Sequence, residues 1–427
     1  MQSDLDAAQF GEEVPDFSIP KALDAILKQG AGTVVVINVI DETTNFVNVT
    51  NEALVISGGK AKLAFAPVGS TFTLTNQAGT TTFVKDTDYR VDDFGNITVL
   101  NSGVIAEAAN VRATYRRFDK ATVTNAQIIG SVNGGTGART GLKCLELCYS
   151  LFGFTPKILI APLFSDINPI AVELIATADK YRAIALLDAP AGITPTAAIA
   201  GRGPAGTINF NTSSKRAYLL YPRLKAFDVA TNANEDRPYS QFMAGVIAKT
   251  DLDEGYWVSP SNKEVKGIVG VERTITSAVN DASTEANLLN EKGITTIFNS
   301  FGSGIRSWGN RTAAFPTVTT PDNFLSVKRT EDIIHESLEY AMLQFIDTPL
   351  NQALIDSIRE SVNAFLRTLI GRGAIIDGSC TYSKAKNPPV QLAAGQVVFD
   401  ISFMPPTPAE RITFESFIDI NLLRNLA

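Results

Sequence analysis

Few residues of this sequence have the types and spacing that catalysis or metal binding requires. The chain contains one histidine, His335, and three cysteines, Cys144, Cys148 and Cys380. Catalysis by His335 would need a nucleophile or carboxylate partner that the sequence does not indicate, so a solvated or interface histidine is the better interpretation. Cys144 and Cys148 lie four residues apart in a predicted helix, with no histidine or third cysteine close in sequence. This spacing favours small apolar core residues over a zinc site.

Two glycine-rich stretches invite a phosphate-binding interpretation. Residues 201–206 match G-x-G-x-x-G, but no predicted strand leads into them and no predicted helix follows, so the dinucleotide-binding context is missing. Residues 134–141 precede a predicted helix but lack the G-K-[ST] ending that places a lysine on phosphate. Paired acids such as Asp92 and Asp93 lack the spacing of a calcium loop. We therefore predict no catalytic residue, no cofactor and no metal site, and expect that the protein is not an enzyme.

Composition and charge exclude several further classes. The 427 residues are 45% hydrophobic and 19% charged, which suffices for two or three globular domains with real cores. The formal charge of −7 provides no basic field for binding phosphate backbones. The first residues resemble no signal peptide, and no apolar run reaches membrane-spanning length. We expect a protein made in a cytoplasm-like compartment, without direct contact with nucleic acid and without membrane insertion.

The hydrophobic pattern predicts an α/β core that is interrupted by a β module. A helix over 21–28 and a strand over 33–40 come first, and the unbroken apolar character of that strand is typical of burial on both faces. From residue 43 to 119 short alternating segments separated by glycine-rich turns predict an inserted antiparallel β domain. The α/β pattern then resumes, with strands predicted over 157–161, 183–187, 217–221 and 294–299, and helices over 141–151, 168–179 and 240–249.

The last unit, from residue 321, reads as α+β. Thr330 is predicted to cap a helix, and a second helix over 350–371 follows. Strands are predicted over 396–403 and over 411–422. The predicted fold is therefore an α/β core with a mainly parallel sheet (14–42 and 120–320), an inserted antiparallel β domain (43–119) and a C-terminal α+β domain (321–427).

An ordered series of short motifs between residues 254 and 422 resembles the contractile tail sheath family, the sheaths of contractile-tailed phages and related bacteriocins. Any one of these motifs is weak, but their order along the chain is specific. The β module adds weaker similarity through residues 88–97 and the strand that contains Tyr115. The motifs are W-V-S-P-S-N-K-E-V-K-G-I-V-G (257–270), N-L-L-N-E-K-G-I (287–294), W-G-N-R-T-A-A (308–314), V-K-R-T (327–330), L-N-Q-A-L-I-D (350–356), S-V-N-A-F-L (361–366), N-P-P (387–389) and P-P-T-P-A-E-R (405–411).

The resemblance implies a structural subunit that stacks in hexameric rings around a rigid tail tube and contracts to drive that tube through a cell envelope. It implies the same chain, the tube protein, and the baseplate and tail terminator proteins as partners, and a virion tail assembled in the bacterial cytoplasm as location. Family members usually carry a longer N-terminal arm and a first core strand before the segment that residues 14–17 resemble. We therefore expect either a reduced arm or a numbering that begins inside a longer protein.

The resemblance also assigns roles to particular residues. A terminal strand arm (409–427) is expected to pair with a neighbouring subunit through an apolar face, although pairing within its own domain is the alternative. Its hinge would be a proline run that cannot continue a strand. The C-terminal domain is expected to face the tube and the inserted domain to lie outside. The assigned residues are Ile412, Phe414, Ile418 and Ile420 for the inter-subunit strand, Pro405, Pro406 and Pro408 for the hinge, and Lys328, Arg329, Arg359 and Arg367 for the tube.

Two rival functions remain open from the sequence. A tail tube or baseplate protein is the structural alternative, but tube subunits are typically far shorter and mostly β. An α/β enzyme with an inserted β domain is the other, and it is disfavoured because no active site assembles from the residues above. Electron microscopy separates them, since a sheath protein should form rings or long hollow polymers.

Overall fold

A computed structural model of the chain describes residues 8–30, 32–204, 206–229, 231–300 and 302–426. In these residues the α-helices, numbered α1 to α11, are Ser18–Leu27, Glu42–Asn45, Asn125–Ile129, Cys148–Phe152, Asn168–Lys180, Pro195–Ala200, Tyr239–Asp253, Glu285–Asn290, Leu325–Met342, Gln352–Gly371 and Pro389–Ala393. The strands, β1 to β17, are Phe46–Val55, Lys60–Lys62, Val68–Asn76, Thr82–Phe83, Tyr89–Val91, Asn96–Val99, Asn110–Phe118, Ile158–Leu159, Ile184–Asp188, Ala217–Leu220, Leu224–Asp228, Ala233–Arg237, Gly270–Val271, Ile294–Ser300, Gly304–Trp308, Asp377–Tyr382 and Phe399–Met404.

The largest sheet has the strand order β15-β14-β10-β9-β8. Its pairs from β8 to β14 are parallel, and β15 adds an antiparallel edge. Every residue of β9 and β10 is buried, as the unbroken apolar runs predict for strands covered by helices on both faces. Helices α5 and α7 both contact β9. This arrangement confirms the prediction of a mainly parallel, helix-covered sheet.

The predicted strand over 33–40 is wrong in the described structure. Residues 32–41 have an irregular conformation and belong to no described strand. Val34, Val35, Ile37 and Val39 are nevertheless partly buried against the main core. A β-branched run favours extended backbone, but a strand also needs a neighbouring strand to pair with. Here an apolar cavity, lined by these residues and by β8, takes the place of such a neighbour.

The inserted residues form two small antiparallel sheets with their own hydrophobic core. The strand orders are β1-β7-β3-β4 and β2-β6-β5, and Leu74, Ile97 and Ala113 are fully buried in the core of this module. Its two ends meet, because Phe46 at the start of β1 pairs with Phe118 at the end of β7. The module therefore leaves and re-enters the rest of the chain at one place.

The C-terminal part packs α9, α10 and the antiparallel pair β16–β17 around a third hydrophobic cluster. Helix α9 begins at Leu325 and not at Thr330, so the predicted cap is wrong. Thr330 is buried in the helix, and its hydroxyl donates to the Ser326 carbonyl at 2.8 Å. The predicted strand over 396–403 is shifted, since β17 spans Phe399–Met404.

Candidate assembly surface

The segment after residue 410 is not a strand in the described subunit, and a strand over 411–422 on a neighbouring subunit stays a prediction. Residues 411–419 are irregular, and a 3-10 helix follows at Ile420–Leu426. The exposed fractions of Phe414 and Ile418 are 88% and 96%, and Ile412 and Ile420 are also exposed. The alternative of an ordinary strand within its own domain is therefore not what the structure shows. An apolar face that has no partner within the described subunit is typical of a surface that another chain covers.

The proline run before this segment rests on the core. Pro405 is buried. Pro406, Thr407 and Pro408 line a shallow groove together with Trp257 and neighbouring residues up to Lys263. This loop belongs to the longest of the sheath-like motifs in the sequence. The terminal segment thus leaves the subunit beside a groove that two sequence-distant motifs line together.

An ion pair between Arg311 and Glu410, which the sequence did not suggest, holds the chain just after the proline run. The Arg311 guanidinium binds both carboxylate oxygens of Glu410, with 2.8 Å from Nε to Oε1. Arg311 also lies over the rings of Phe315 and Phe324, at 4.3 and 3.9 Å from their centroids, and donates to Asn323. An arginine held by two rings and an amide is pre-organised for a bidentate carboxylate. The chain is therefore anchored as far as Glu410 and exposed beyond it.

The pair β16–β17 offers edges to which a further strand could be added. It forms a two-stranded sheet in the described residues, from Asp377 opposite Met404 to Tyr382 opposite Phe399. One side rests on α10 through the buried Cys380. A two-stranded ribbon is marginal alone, and its outer edges carry backbone groups that can accept another strand.

Ion pairs fasten α9 to the α/β core. Arg216 and Asp332 are both buried and pair with each other. Further along α9, Lys157 pairs with Glu336 at 2.8 Å and Arg182 with Glu339 at 2.6 Å. The hydrogen bonds from Arg182 lower the pKa of Glu339. These ion pairs join the C-terminal part to the α/β core along one helix.

Two of the four predicted tube-facing cations are engaged within the subunit. Arg329 is 6% exposed and binds both carboxylate oxygens of Asp251. Lys328 donates to Glu331 at 2.9 Å and lies 3.3 Å from Asp332. Both side chains therefore have partners within the subunit, which the sequence did not indicate. Arg329 joins α9 to Asp251 of α7, whereas both carboxylates near Lys328 lie on α9 itself.

Arg359 and Arg367 lie on the outer side of α10. Their side chains are 39% and 64% exposed. Arg359 pairs with Asp356 at 3.2 Å, and Arg367 lies 4.0 Å from Glu360. Exposed pairs of this kind are worth about 0–1 kcal/mol and exchange partners easily. These two arginines can therefore meet an acidic surface.

The remaining candidate residues have structural surroundings. The His335 ring stacks edge-on against Phe403 at 5.9 Å, between α9 and β17. Cys148 and Cys380 are buried in two different hydrophobic clusters, and Cys144 donates to the Arg139 carbonyl. Asp92 accepts from two backbone amides of its own turn. None of these contacts resembles a catalytic or metal-binding arrangement.

The G-x-G-x-x-G stretch at residues 201–206 has a structural role in packing. Arg202 donates to four carbonyl oxygens, those of Phe210, Thr212, Ala313 and Phe315, at 2.6–2.8 Å. Burial lowers the pKa of its guanidinium to about 10. A Cβ on Gly206 would lie 2.5 Å from the Ala200 carbonyl oxygen, so only glycine fits the close return of the loop. A helix, α6, precedes this loop, which confirms that the dinucleotide context is missing.

A buried carboxylate that sequence analysis missed supports α7. Asp188, at the end of β9, accepts from the Ser240 backbone amide at 2.7 Å and from the Ser165 hydroxyl at 3.0 Å. Burial raises the pKa of Asp188. An acid directly after an apolar strand was the available signal, but the partner serine lies 52 residues away. The acid satisfies an amide at a helix start, which is a structural role.

The surface carboxylate Glu146 has a lowered pKa because two cations donate hydrogen bonds to it. Glu146 accepts from Arg139 at 2.8 Å and from Lys180 at 2.9 Å. These hydrogen bonds lower the pKa of Glu146 to about 2. In the described ranges no cluster of three or more histidine, cysteine or acidic residues could hold a metal ion. No described helix is long and apolar enough to cross a membrane.

Comparison with known proteins identifies the family. Residues 137–313 match the phage tail sheath protein central domain, and residues 319–419 match the phage tail sheath C-terminal domain. The tail sheath protein of Burkholderia phage BcepMu is 49% identical over 428 residues, covering 99% of this chain and 89% of that protein. The tail sheath protein of Escherichia phage P2 is 29% identical, covering 70% of this chain and 74% of its own length.

Solved structures show a similar fold. The contracted helical sheath of the anti-feeding prophage superposes with a TM-score of 0.54 at 19% identity, covering 72% of this chain and 78% of that chain. Both matched family domains lie in the α/β core and the C-terminal part, which carry the anchored exit and the exposed terminal segment described above. From the two matched domains and the 49% identical relative, we conclude that this chain belongs to the phage tail sheath protein family.

Proposed function

We propose that this chain polymerises as stacked hexameric rings around a tail tube and that contraction of the polymer drives the tube through the envelope of a target cell. Its partners are then other copies of itself, the tube protein, and the baseplate and tail terminator proteins. The polymer belongs to a virion tail and is assembled in the host cytoplasm. Family membership supports the sheath role, and the geometry of the terminal segment supports the polymerisation mechanism.

The observation that carries this proposal is the exposed apolar face beyond Glu410. In a lone subunit Ile412, Phe414 and Ile418 face solvent, which is an unfavourable arrangement for side chains of this size. Burial against a second copy removes that cost. Alternation of apolar and polar residues suits a strand with one buried face, so we propose that 411–422 becomes a strand on a neighbour.

The receiving edge in this proposal is the β16–β17 pair of the next subunit. Its exposed outer edges supply backbone partners, and Ile401 and Met404 on β17 are about one-third exposed. An added strand would extend a marginal ribbon to three strands and cover part of this apolar surface. Each subunit would then donate one strand to a neighbour and receive one from another neighbour. Such head-to-tail contacts continue from copy to copy and do not end in a closed dimer.

Contraction in this proposal moves rigid bodies that stay tied by the terminal strands. The ion pairs along α9 couple the C-terminal part to the core, so the bending must occur in the connection to the strand. We propose that Pro405, Pro406 and Pro408 form the hinge region, with the Glu410–Arg311 pair holding its resting direction. The pair is partly exposed, with side chains 18% and 38% accessible, so it can open at modest cost. Energy for contraction would be stored in a metastable extended packing.

We further propose that α10 faces the tube through Arg359 and Arg367 and that the β module decorates the outside. Lys328 and Arg329 drop out of the tube contact because they are engaged within the subunit. Since β1 and β7 meet at Phe46 and Phe118, deletion of 45–118 with a short linker should leave polymerisation intact. Loss of assembly in a folded deletion variant would remove this placement.

A truncation after Glu410 tests the proposed mechanism. The cut keeps the pair with Arg311 and the proline contacts, so it removes the exposed segment without disturbing the folded part. We expect a folded protein that remains a monomer or small oligomer, while the full chain forms sheath-like polymers under electron microscopy. Regular, contractile polymers of the truncated protein would show that subunits are tied elsewhere.

A further inference from the structure

The arginine of the G-x-G-x-x-G motif joins two segments that lie far apart in the sequence. From one terminal nitrogen, Arg202 donates to the carbonyl oxygens of Phe210 and Thr212. From the other, it donates to the carbonyl oxygens of Ala313 and Phe315. Because a guanidinium is planar and rigid, it holds its acceptors in fixed directions. Arg202 therefore clamps the loop after α6 to the segment 313–315.

The two carbonyl oxygens of the segment 313–315 lie in closely packed surroundings. Ala313 is fully buried, and its backbone amide donates to the Ala217 carbonyl oxygen at 2.8 Å, at the start of β10. A Cβ on Gly293 would lie 2.7 Å from the Phe315 oxygen, so the backbone of Gly293 packs tightly against that oxygen. A buried carbonyl group that loses its donor is destabilising. Loss of Arg202 should therefore shift this segment.

The same segment supports the anchor of the terminal segment, which is the pair between Arg311 and Glu410. The Phe315 ring lies 4.3 Å from the centre of the Arg311 guanidinium, which binds both carboxylate oxygens of Glu410. The second ring, Phe324, and the amide of Asn323 lie just before α9, outside the clamped segment. One of these three supports of Arg311 is thus tied to the loop after α6.

We propose that Arg202 is a positioning residue for the anchor, because it fixes the ring that holds Arg311 against Glu410. The G-x-G-x-x-G motif then helps to set how readily the chain at Glu410 leaves the subunit surface. This inference goes beyond the polymer proposed above, since every contact that carries it lies within one subunit. It can fail while strand exchange holds, and it can hold if strand exchange fails.

A purely structural role for Arg202 is the alternative. In that case its loss lowers the stability of the α/β core but affects the anchor no more than the loss of another buried arginine. Arg237, on β12, is such an arginine, since it is buried and pairs with Glu13 and Glu235. Arg237→Gln is therefore the matched control for Arg202→Gln.

Trypsin cleavage after Arg411 measures how often the anchor opens. The cleaved bond lies one residue beyond Glu410, so the protease can bind it only when the anchored residues before it leave the subunit surface. The cleavage rate then follows the population of the open form. We would measure this rate by mass spectrometry on the full chain, at a dilution at which it sediments as a monomer, together with the urea unfolding midpoint.

We expect Arg202→Gln to raise the cleavage rate by at least about threefold, the size of one exposed cation–π contact, and Arg237→Gln to leave it unchanged. Phe315→Leu removes the ring but keeps the backbone clamp, so it should raise the rate similarly and provides a second test if Arg202→Gln folds poorly. In an Arg311→Gln background, Arg202→Gln should have no further effect, because a residue that acts through Arg311 cannot act without it.

Three results would overturn the proposal. The first is an equal rise in cleavage for Arg202→Gln and Arg237→Gln, which would indicate general destabilisation. The second is a further rise when Arg202→Gln is added to Arg311→Gln, which would show that the two residues act independently. The third is an unchanged rate for folded Arg202→Gln or for Phe315→Leu, which would show that the clamp or the ring does not support the anchor.

Discussion

Three substitutions to aspartate in the terminal segment should abolish sheath assembly while the subunit stays folded. The variant is Ile412→Asp, Phe414→Asp and Ile418→Asp. These side chains make no buried contact in the described subunit, with exposed fractions of 70%, 88% and 96%. Their replacement therefore removes nothing from the monomer. In the assembly it removes the apolar face and would bury three charges in its place.

The magnitude follows from the exposed fractions. Full burial of one such side chain is worth about 2 kcal/mol. Scaled by exposure, the three contribute roughly 5 kcal/mol to each inter-subunit contact, before any cost of desolvating carboxylates. At about 1.4 kcal/mol per factor of ten, the association constant per contact should fall at least roughly a thousandfold. A polymer needs such a contact for every subunit, so assembly should be lost.

The assay is sedimentation combined with negative-stain electron microscopy at matched protein concentration. The control adds the same three charges at exposed polar positions of the same segment, Thr413→Asp, Asn421→Asp and Asn425→Asp. We expect polymers from the wild type and the control, monomers from the test variant, and equal urea unfolding midpoints for all three. Polymers from the test variant, or their loss in both variants, would refute the assignment of the apolar face.

The remaining predictions concern the anchored residues and the surface charges. Arg329→Ala leaves the Asp251 carboxylate partly buried without its partner and should lower the free energy of unfolding by about 2–4 kcal/mol in urea titrations; a change below about 0.5 kcal/mol would mean that the residue is a surface cation after all. Arg359→Glu with Arg367→Glu should weaken co-sedimentation with purified tubes but leave self-polymerisation and unfolding unchanged, and normal tube loading would count against the tube contact. Because the pKa of Glu146 is lowered, its contribution to stability is present above about pH 4.5 and is lost as pH falls towards about 2. The difference in unfolding free energy between wild type and Glu146→Gln should shrink over that window, and a constant difference would contradict the sign.

The sequence predicted those parts of the fold in which local pattern and tertiary context agree. Unbroken apolar runs between amphipathic helices predicted β9 and β10 to within a residue or two. The prediction works because a strand that is buried on both faces needs apolar residues at consecutive positions. The same reasoning failed for 33–40, since the pattern reports burial but cannot report whether a neighbouring strand is present. For 411–422 the alternation of apolar and polar residues predicts one apolar face. The described subunit provides no surface that covers this face.

The candidate site was predictable only in outline. The ordered motifs indicated the family, and the comparisons confirmed it. Proline and apolar positions in the terminal segment were visible in the sequence, whereas the Arg311–Glu410 pair joins residues 99 positions apart and leaves no local signal. For Lys328 and Arg329 the sequence did not indicate the ion pairs that they make within the subunit. A cation on a helix looks solvated in sequence, but the burial of Arg329 depends on Asp251 of another helix.

A cryo-electron microscopy reconstruction of the polymer formed by the full chain tests the proposed strand exchange most directly. We predict that residues 411–422 appear as a strand hydrogen-bonded along the β16–β17 pair of a neighbouring subunit, with Ile412, Phe414 and Ile418 buried between the two copies. A reconstruction in which this segment packs on its own subunit, or stays exposed while other surfaces hold the polymer together, would contradict it.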